Sequence, residues 1–160
     1  FPTFFTMFPL TRIVSVVALF LLLVIFLAHR KYEEDYDWSA VYSLMLFSTC
    51  GVILLFGQRN LLTLFLGIEI MSIPLYVLAA SKRNQAISLE AGLKYFILGS
   101  FASAFLLFGI ALVYGSTSSF VLDEIMSIQE NHGGQLPAYF HVGYIFIIVS
   151  ILFKISTPDR

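Results

Sequence analysis

Long apolar runs alternate along this chain with short polar segments. A helix needs roughly 20 residues to cross about 30 Å of hydrocarbon. Runs of about that length predict five transmembrane helices, over residues 8–29, 39–57, 61–80, 91–114 and 138–156. The pattern therefore predicts an all-α membrane protein.

The first polar connectors indicate how these helices are joined. Residues 29–38 are densely charged and end in Trp38, an aromatic residue suited to the membrane interface. Two tight polar turns follow, at 58–60 and 81–85. Because short turns join antiparallel neighbours, we expect the second, third and fourth helices to pack side by side.

The same pattern divides the chain into four segments. Residues 1–38 hold the first span and its charged loop, and residues 39–115 hold a core segment of three helices. Residues 116–137 form a loop whose weakly amphipathic stretch, 120–126, is expected to lie along the membrane interface. Residues 138–160 hold the last span.

Composition agrees with a lipid environment and excludes one class of partner. Hydrophobic residues make up 59% of the chain and charged residues 12%, and the mean hydropathy is +0.90. These values lie outside the usual balance of soluble domains. The formal net charge is -1 and no run of basic residues occurs, so nucleic acid is not expected as a partner.

No residue pattern indicates a cofactor or metal site. The chain has one cysteine, Cys50, which we expect to be a small buried hydrophobe. The three histidines, His29, His132 and His141, lack the helical spacing of a ligand pair. Nucleotide, iron–sulfur, zinc-protease and hydrolase motifs are absent, so this chain is expected to bind no cofactor.

Three ionisable residues lie inside the apolar runs: Glu69, Lys94 and Lys154. A charge in the membrane costs a few kcal/mol or more, and it persists when it is paired or reaches water. Glu69 lies eight residues into its helix, about 12 Å from the start, which is too deep to reach water. These residues are therefore candidates for a proton or ion pathway.

Each candidate also has a structural interpretation. Glu69 could be a protonated carboxyl that only hydrogen-bonds a neighbouring helix, and Lys94 or Lys154 could extend its side chain to water. We expect Glu69 to pair with Lys94, because the third and fourth helices should be neighbours. Pro74 removes a helical hydrogen bond close to Glu69 and is expected to kink the third helix.

The distribution of basic residues predicts an orientation. Two basic residues near span ends, Arg12 and Arg59, lie on one side, and five lie on the other, so the 82–83 loop is expected to be cytoplasmic. The first span lacks the features of a cleavable signal peptide and is expected to remain in the membrane. The five residues on the cytoplasmic side are Arg30, Lys31, Lys82, Arg83 and Arg160.

Three stretches of the chain, residues 60–80, 89–96 and 152–156, carry the intramembrane charges in a recognisable order. They closely resemble the subunit N family of proton-pumping NADH-quinone oxidoreductase, which is respiratory complex I. This family is related to the multisubunit Na+/H+ antiporters. The likeness is strongest over residues 40–115 and weaker at the N-terminus and over 116–140.

The resemblance implies a role for each charged residue. In that family a glutamate matching Glu69 and a lysine matching Lys94 set the proton affinity of a third residue, which matches Lys154. Flavin mononucleotide and iron–sulfur clusters are carried by partner subunits, and quinone is reduced there. The chain is then expected to be a multi-pass protein of the bacterial inner membrane, in contact with lipid and with neighbouring antiporter-like subunits.

Two departures from the family limit that expectation. A full subunit is about three times as long and holds two inverted repeats, whereas this chain covers most of the first repeat. After Ser156 the sequence runs directly into Thr157 and Pro158, where the family continues differently. The chain is therefore expected to be either part of a longer protein or a shortened homologue.

Two other functions remain open from the sequence. The first is a subunit of a Na+/H+ antiporter or of a membrane-bound hydrogenase, since both share the charged motifs. The second is a structural membrane module without transport, in which the charges only hold helices together.

Overall fold

A computed structural model describes residues 9–28, 38–56, 59–82, 84–132 and 136–155. Every regular element of this part of the chain is an α-helix, and an isolated bridge joins Asn60 to Val121. The helices are α1 (Pro9–Ala28), α2 (Trp38–Leu55), α3 (Leu61–Ala79), α4 (Ala86–Thr117), α5 (Leu122–Asn131) and α6 (Ala138–Ile155).

The predicted spans are confirmed as helices. Four of them, α2, α3, α4 and α6, are long and apolar enough to cross a membrane, and α1 contributes a shorter apolar stretch, Ile13–Leu27. α4 begins at Ala86, five residues before the predicted span. The protein is thus an all-α membrane protein.

The described residues form two compact units. The first lies within 1–58 and 66–96, and the second within 59–65 and 97–160. α3 and α4 each contribute to both units. These boundaries differ from the four segments that the sequence suggests, and those segments remain a prediction.

In the first unit, α2 and α3 approach each other through glycine. A Cβ atom at Gly51 would lie 2.8 Å from the Met71 Cα and 2.9 Å from the Gly67 carbonyl oxygen. The Ser48 hydroxyl donates to the Met71 carbonyl oxygen at 3.1 Å. Small residues at such crossings let helix backbones come close, which is how helices gain packing energy in lipid.

Cys50 corrects an expectation from the sequence. Its side chain is exposed on α2 and not buried. Gly51 and Ser48 occupy the face of α2 that contacts α3, and Cys50 projects about 100° away from Gly51 around the helix.

In the second unit, α4 and α6 cross at a second pair of glycines. A Cβ atom at Gly109 would lie 2.7 Å from the Gly143 carbonyl oxygen, and one at Gly143 would lie 2.8 Å from the Gly109 carbonyl oxygen. The Phe146 ring stacks on Phe105 with ring centroids 5.6 Å apart. Most of the fully buried apolar residues belong to this part of α4: Leu106, Ile110 and Val113.

The connector after α4 is attached to the start of α3. Asn60 caps α3 through its side-chain oxygen, which accepts from the Leu62 amide at 2.9 Å. The Leu61 amide donates to the Phe120 carbonyl oxygen at 2.9 Å. Arg59 donates to both carboxylate oxygens of Asp123, at 2.8 and 2.9 Å. The amphipathic stretch of this connector is therefore a docked helix, α5.

The contact at Gly109 predicts the response to one added methyl group. Gly109→Ala should destabilise the protein by about 1–3 kcal/mol, because the Cβ meets the backbone of α6, which cannot move aside alone. Gly115→Ala on the same helix is the matched control, since no heavy atom lies within 4 Å of its Cβ. That control should stabilise the helix by about 0.5–1 kcal/mol. Thermal unfolding in detergent measures both, and equal shifts would contradict the crossing.

Candidate functional site

Glu69 lies on the face of α3 that is turned away from α2. Its side chain is half-buried. Ser72 and Tyr76 follow at three and seven residues, and this spacing places all three on one face of the helix. Gly67 and Met71, which meet α2, are on the opposite face. Glu69 is therefore held by α3 on the side away from the α2 crossing.

Contacts of Tyr76 show that this face is directed to α4. Tyr76 is only 7% exposed. Its ring packs edge-on against Tyr95, with centroids 4.9 Å apart, and against Phe96 at 6.0 Å. The expectation that the third and fourth helices are neighbours is thus confirmed within the first unit, and Glu69 lies on the shared side.

Two hydroxyl groups accompany Glu69 along this face. The Ser72 hydroxyl donates to the Ile68 carbonyl oxygen at 2.7 Å, and Tyr76 is buried one turn further along the helix. Sequence reasoning missed Ser72 and Tyr76, although their spacing from Glu69 was a signal that could have identified them.

Pro74 is fully buried inside an uninterrupted α3. It has no amide hydrogen to donate to the Ile70 carbonyl, which directly follows Glu69 in sequence. The next carbonyl, that of Met71, accepts the hydrogen bond from Ser48 on α2. The helix runs through Pro74, and the kink expected there remains a prediction.

Lys94 forms an ion pair that the sequence analysis did not expect. Its ammonium lies 2.5 Å from a carboxylate oxygen of Glu90, one turn earlier on α4, and both side chains are about two-thirds exposed in the isolated chain. The expected partner was Glu69. Gly92 packs on Ala80 of α3, and Lys94 lies about 200° around the helix from Gly92. Lys94 therefore projects from the side of α4 opposite α3.

Lys154 lies on the face of α6 that packs on α4. It is half-buried and shares this face with Gly143, Ile147 and Ser150, which are all buried. Eleven residues separate it from the crossing at Gly143, a distance of about 16 Å along the helix. Because α4 and α6 are antiparallel, the same distance along α4 leads from Gly109 to Leu98.

This register indicates the depth of Lys154. Leu98 lies about 10 Å inside the near end of the apolar stretch 91–114 of α4. Lys154 is also in the last turn of α6, where the helix dipole favours a positive charge. A lysine at this depth can still extend its side chain towards water, so the role of Lys154 stays a prediction.

The histidines show no ligand geometry in the part of the chain that the structure covers. The ring of His132 bonds to the Ile128 carbonyl oxygen at 2.8 Å, and His141 is exposed. His29 lies outside the described residues. No group of three His, Cys, Asp or Glu side chains in the described ranges could hold a metal ion.

A family of membrane proteins described as NADH:quinone oxidoreductase/Mrp antiporter matches residues 58–158. This range includes α3, α4 and α6 and all three intramembrane charges. The chain belongs to this family. The resemblance that the charged motifs indicated is thereby confirmed.

Relatives of this family member are found among bacterial and archaeal respiratory complexes. NADH-quinone oxidoreductase subunit N from Flavobacterium psychrophilum is 40% identical over 148 residues, which covers 90% of this chain and 32% of that protein. A structure of respiratory complex I from Thermus thermophilus with bound aureothin matches with a TM-score of 0.67 and 32% identity, over 90% of this chain and 30% of the other.

A second structure in the same fold comes from an archaeal complex. The membrane-bound sulfane sulfur reductase, an archaeal respiratory membrane complex, matches with a TM-score of 0.75 and 27% identity, over 86% of this chain and 27% of the other. The chain thus spans about a third of the length of the relatives it matches. The antiporter-like family member therefore corresponds to one part of these longer proteins.

The pairing of Lys94 predicts which charge reversal can be rescued. Lys94→Glu should lower the unfolding temperature, because it places two carboxylates one turn apart. Adding Glu90→Lys should restore the temperature by re-forming the pair with its charges exchanged. Adding Glu69→Lys to Lys94→Glu should not restore the unfolding temperature. Rescue by Glu69→Lys and not by Glu90→Lys would show that the sequence-based pair is the true one.

Proposed function

We propose that this chain is part of a proton-translocating membrane subunit of NADH-quinone oxidoreductase. The observation that carries the proposal is the position of Lys154. Its side chain is half-buried on the α4-facing side of an apolar helix, α6, and a charged residue inside such a helix is a candidate for function. Membership of the NADH:quinone oxidoreductase/Mrp antiporter family supplies the context.

The chemistry required of the charged residues is simple electrostatics. A lysine in a partly desolvated place keeps or releases its proton according to the charges that come near it. Glu69, half-buried on the α4-facing side of α3, supplies a carboxylate that can gain or lose a proton. A charge change in a neighbouring subunit would then alter the protonation of Lys154.

The redox reaction itself belongs to partner subunits in this proposal. Those subunits would carry flavin mononucleotide and iron–sulfur clusters and would reduce quinone, while this chain would contact neighbouring antiporter-like membrane subunits and lipid. The bacterial inner membrane is the proposed location. The turn between α3 and α4, with Lys82 and Arg83, would face the cytoplasm.

Variants of the charged residues in the assembled complex test the proposal. Lys154→Ala and Glu69→Gln should each slow NADH-driven proton pumping by at least about ten-fold, because a positioned proton-transfer group contributes on the order of 10² or more to rate. Pumping is measured in inverted membrane vesicles with a fluorescent pH probe, alongside NADH oxidation and the amount of assembled complex.

Two matched variants control for loss of charge alone. Lys82 lies in the turn after α3, and Glu130 is an exposed residue of α5, so both are outside the predicted spans. Lys82→Ala and Glu130→Gln should therefore leave pumping unchanged. Normal pumping in well-assembled Lys154→Ala and Glu69→Gln complexes would refute the transport role. The structural membrane module would then be the better description of this chain.

The antiporter side of the family supports a second candidate. The family description includes Mrp antiporters, and the archaeal sulfane sulfur reductase shares the fold. A subunit of a Na+/H+ antiporter or of a membrane-bound hydrogenase would carry the same charged residues. Copurification from native membranes separates these functions: flavin and iron–sulfur subunits that oxidise NADH support the first proposal, and their absence supports an antiporter.

A further inference from the structure

α2 holds α3 at two points, and Glu69 lies midway between them in the sequence. A Cβ atom at Gly51 of α2 would lie 2.8 Å from the Met71 Cα and 2.9 Å from the Gly67 carbonyl oxygen, so the two backbones are in direct contact. Gly67 and Met71 are each two residues from Glu69, and two residues turn a helix by about 200°. Glu69 therefore projects from the side of α3 opposite this contact, and a shift of α3 on α2 moves its carboxylate.

The turn of α3 that follows Glu69 lacks one of its own hydrogen bonds. Pro74 has no amide hydrogen, so the usual bond to the Ile70 carbonyl oxygen does not form and the helix is easier to bend here. The Ser48 hydroxyl of α2 donates to the adjacent carbonyl oxygen, that of Met71, at 3.1 Å. This bond leaves the Ile70 carbonyl as it is, but it ties the same turn to α2.

We propose that Ser48 and Gly51 are positioning residues for Glu69, because they fix the place and rotation of the turn that carries its carboxylate. The proposal rests on the transport function given above and deepens it by assigning a task to α2. This helix lies outside the matched family range, 58–158, and contains no Asp, Glu, Lys, Arg or His. Its influence on proton transfer therefore passes through its contacts with α3.

The rate of a proton transfer depends steeply on the position of the group that accepts or releases the proton. A displacement of about 1 Å can cost on the order of 10²-fold in rate. The loss of one hydrogen bond lowers the population of the position that it holds by about two- to ten-fold. Because a displaced carboxylate transfers protons poorly, removing the Ser48 hydroxyl should lower the rate of transport by about the same factor.

Two variants in the complete complex test the positioning role. Ser48→Ala removes the donor and adds no atom, and it should slow proton pumping by about two- to ten-fold. Gly51→Ala places a methyl group against the α3 backbone, which must move away, so it should slow pumping by about ten-fold or more. Pumping is measured in inverted vesicles and expressed per assembled complex, so Ser48→Ala decides the question where Gly51→Ala assembles poorly.

Matched controls remove hydroxyls that bond within α2. Ser43 and Thr49 each donate to a carbonyl oxygen of α2 itself, at 2.8 Å. Ser43→Ala and Thr49→Val should therefore pump normally. Gly115→Ala is the control for Gly51→Ala, because no heavy atom lies within 4 Å of its added Cβ, and it should also pump normally.

A chemical probe reports the position of Glu69 without relying on transport. Dicyclohexylcarbodiimide, an apolar reagent, modifies carboxyl groups within membranes, and mass spectrometry of the peptide that contains Glu69 gives the rate of modification. In Ser48→Ala and Gly51→Ala this half-buried carboxyl should react at least about two-fold faster, because it leaves its place beside α4 more often. Modification of Glu90 in the same complexes should stay unchanged.

The outcomes separate this inference from the broader proposal. If Glu69→Gln stops pumping while Ser48→Ala and Gly51→Ala pump at the normal rate, the positioning role is refuted and the transport function stands. If all three variants pump normally, both are refuted. Slower pumping with an unchanged rate of modification at Glu69 would show a general effect on packing or assembly and would also refute the positioning role.

Discussion

Close approach of helix backbones at glycine is the constraint on which the rest of this structure depends. Lipid offers no hydrophobic gain for bringing apolar helices together, so their association relies on packing and on hydrogen bonds between them. Gly51 provides the close crossing in the first unit, and the Gly109–Gly143 pair provides it in the second. Each crossing fixes the rotation of its helices, and the rotation decides which side chains face inward.

The inward faces carry the polar groups that a lipid-facing surface could not hold. With Gly67 and Met71 against α2, the opposite side of α3 presents Glu69, followed by Ser72 and Tyr76. With Gly143 against α4, the same side of α6 presents Lys154. The cost of a charge in hydrocarbon is lower on such a partly buried face than on a lipid-facing surface.

The connector after α4 shows a different way to hold a membrane protein together. Its attachment to the start of α3 uses backbone hydrogen bonds and the exposed pair Arg59–Asp123. Exposed ion pairs contribute little to stability, so the backbone bonds and buried Ile125 are the stronger part of this attachment. The result fixes where α3 begins and therefore how far along the helix Glu69 lies.

The sequence by itself determined the helices, their approximate ends, the charged candidates and the family, because apolar length and the placement of rare charges are local properties of the chain. Only the tertiary structure decided which groups meet. Lys94 pairs with Glu90 and not with Glu69, and the face of α3 that carries Tyr76 packs on α4. The spacing of side chains within one helix follows from helix geometry. The rotation of one helix against another depends on contacts such as that of Gly92 with Ala80, which the pattern of hydrophobic residues does not indicate.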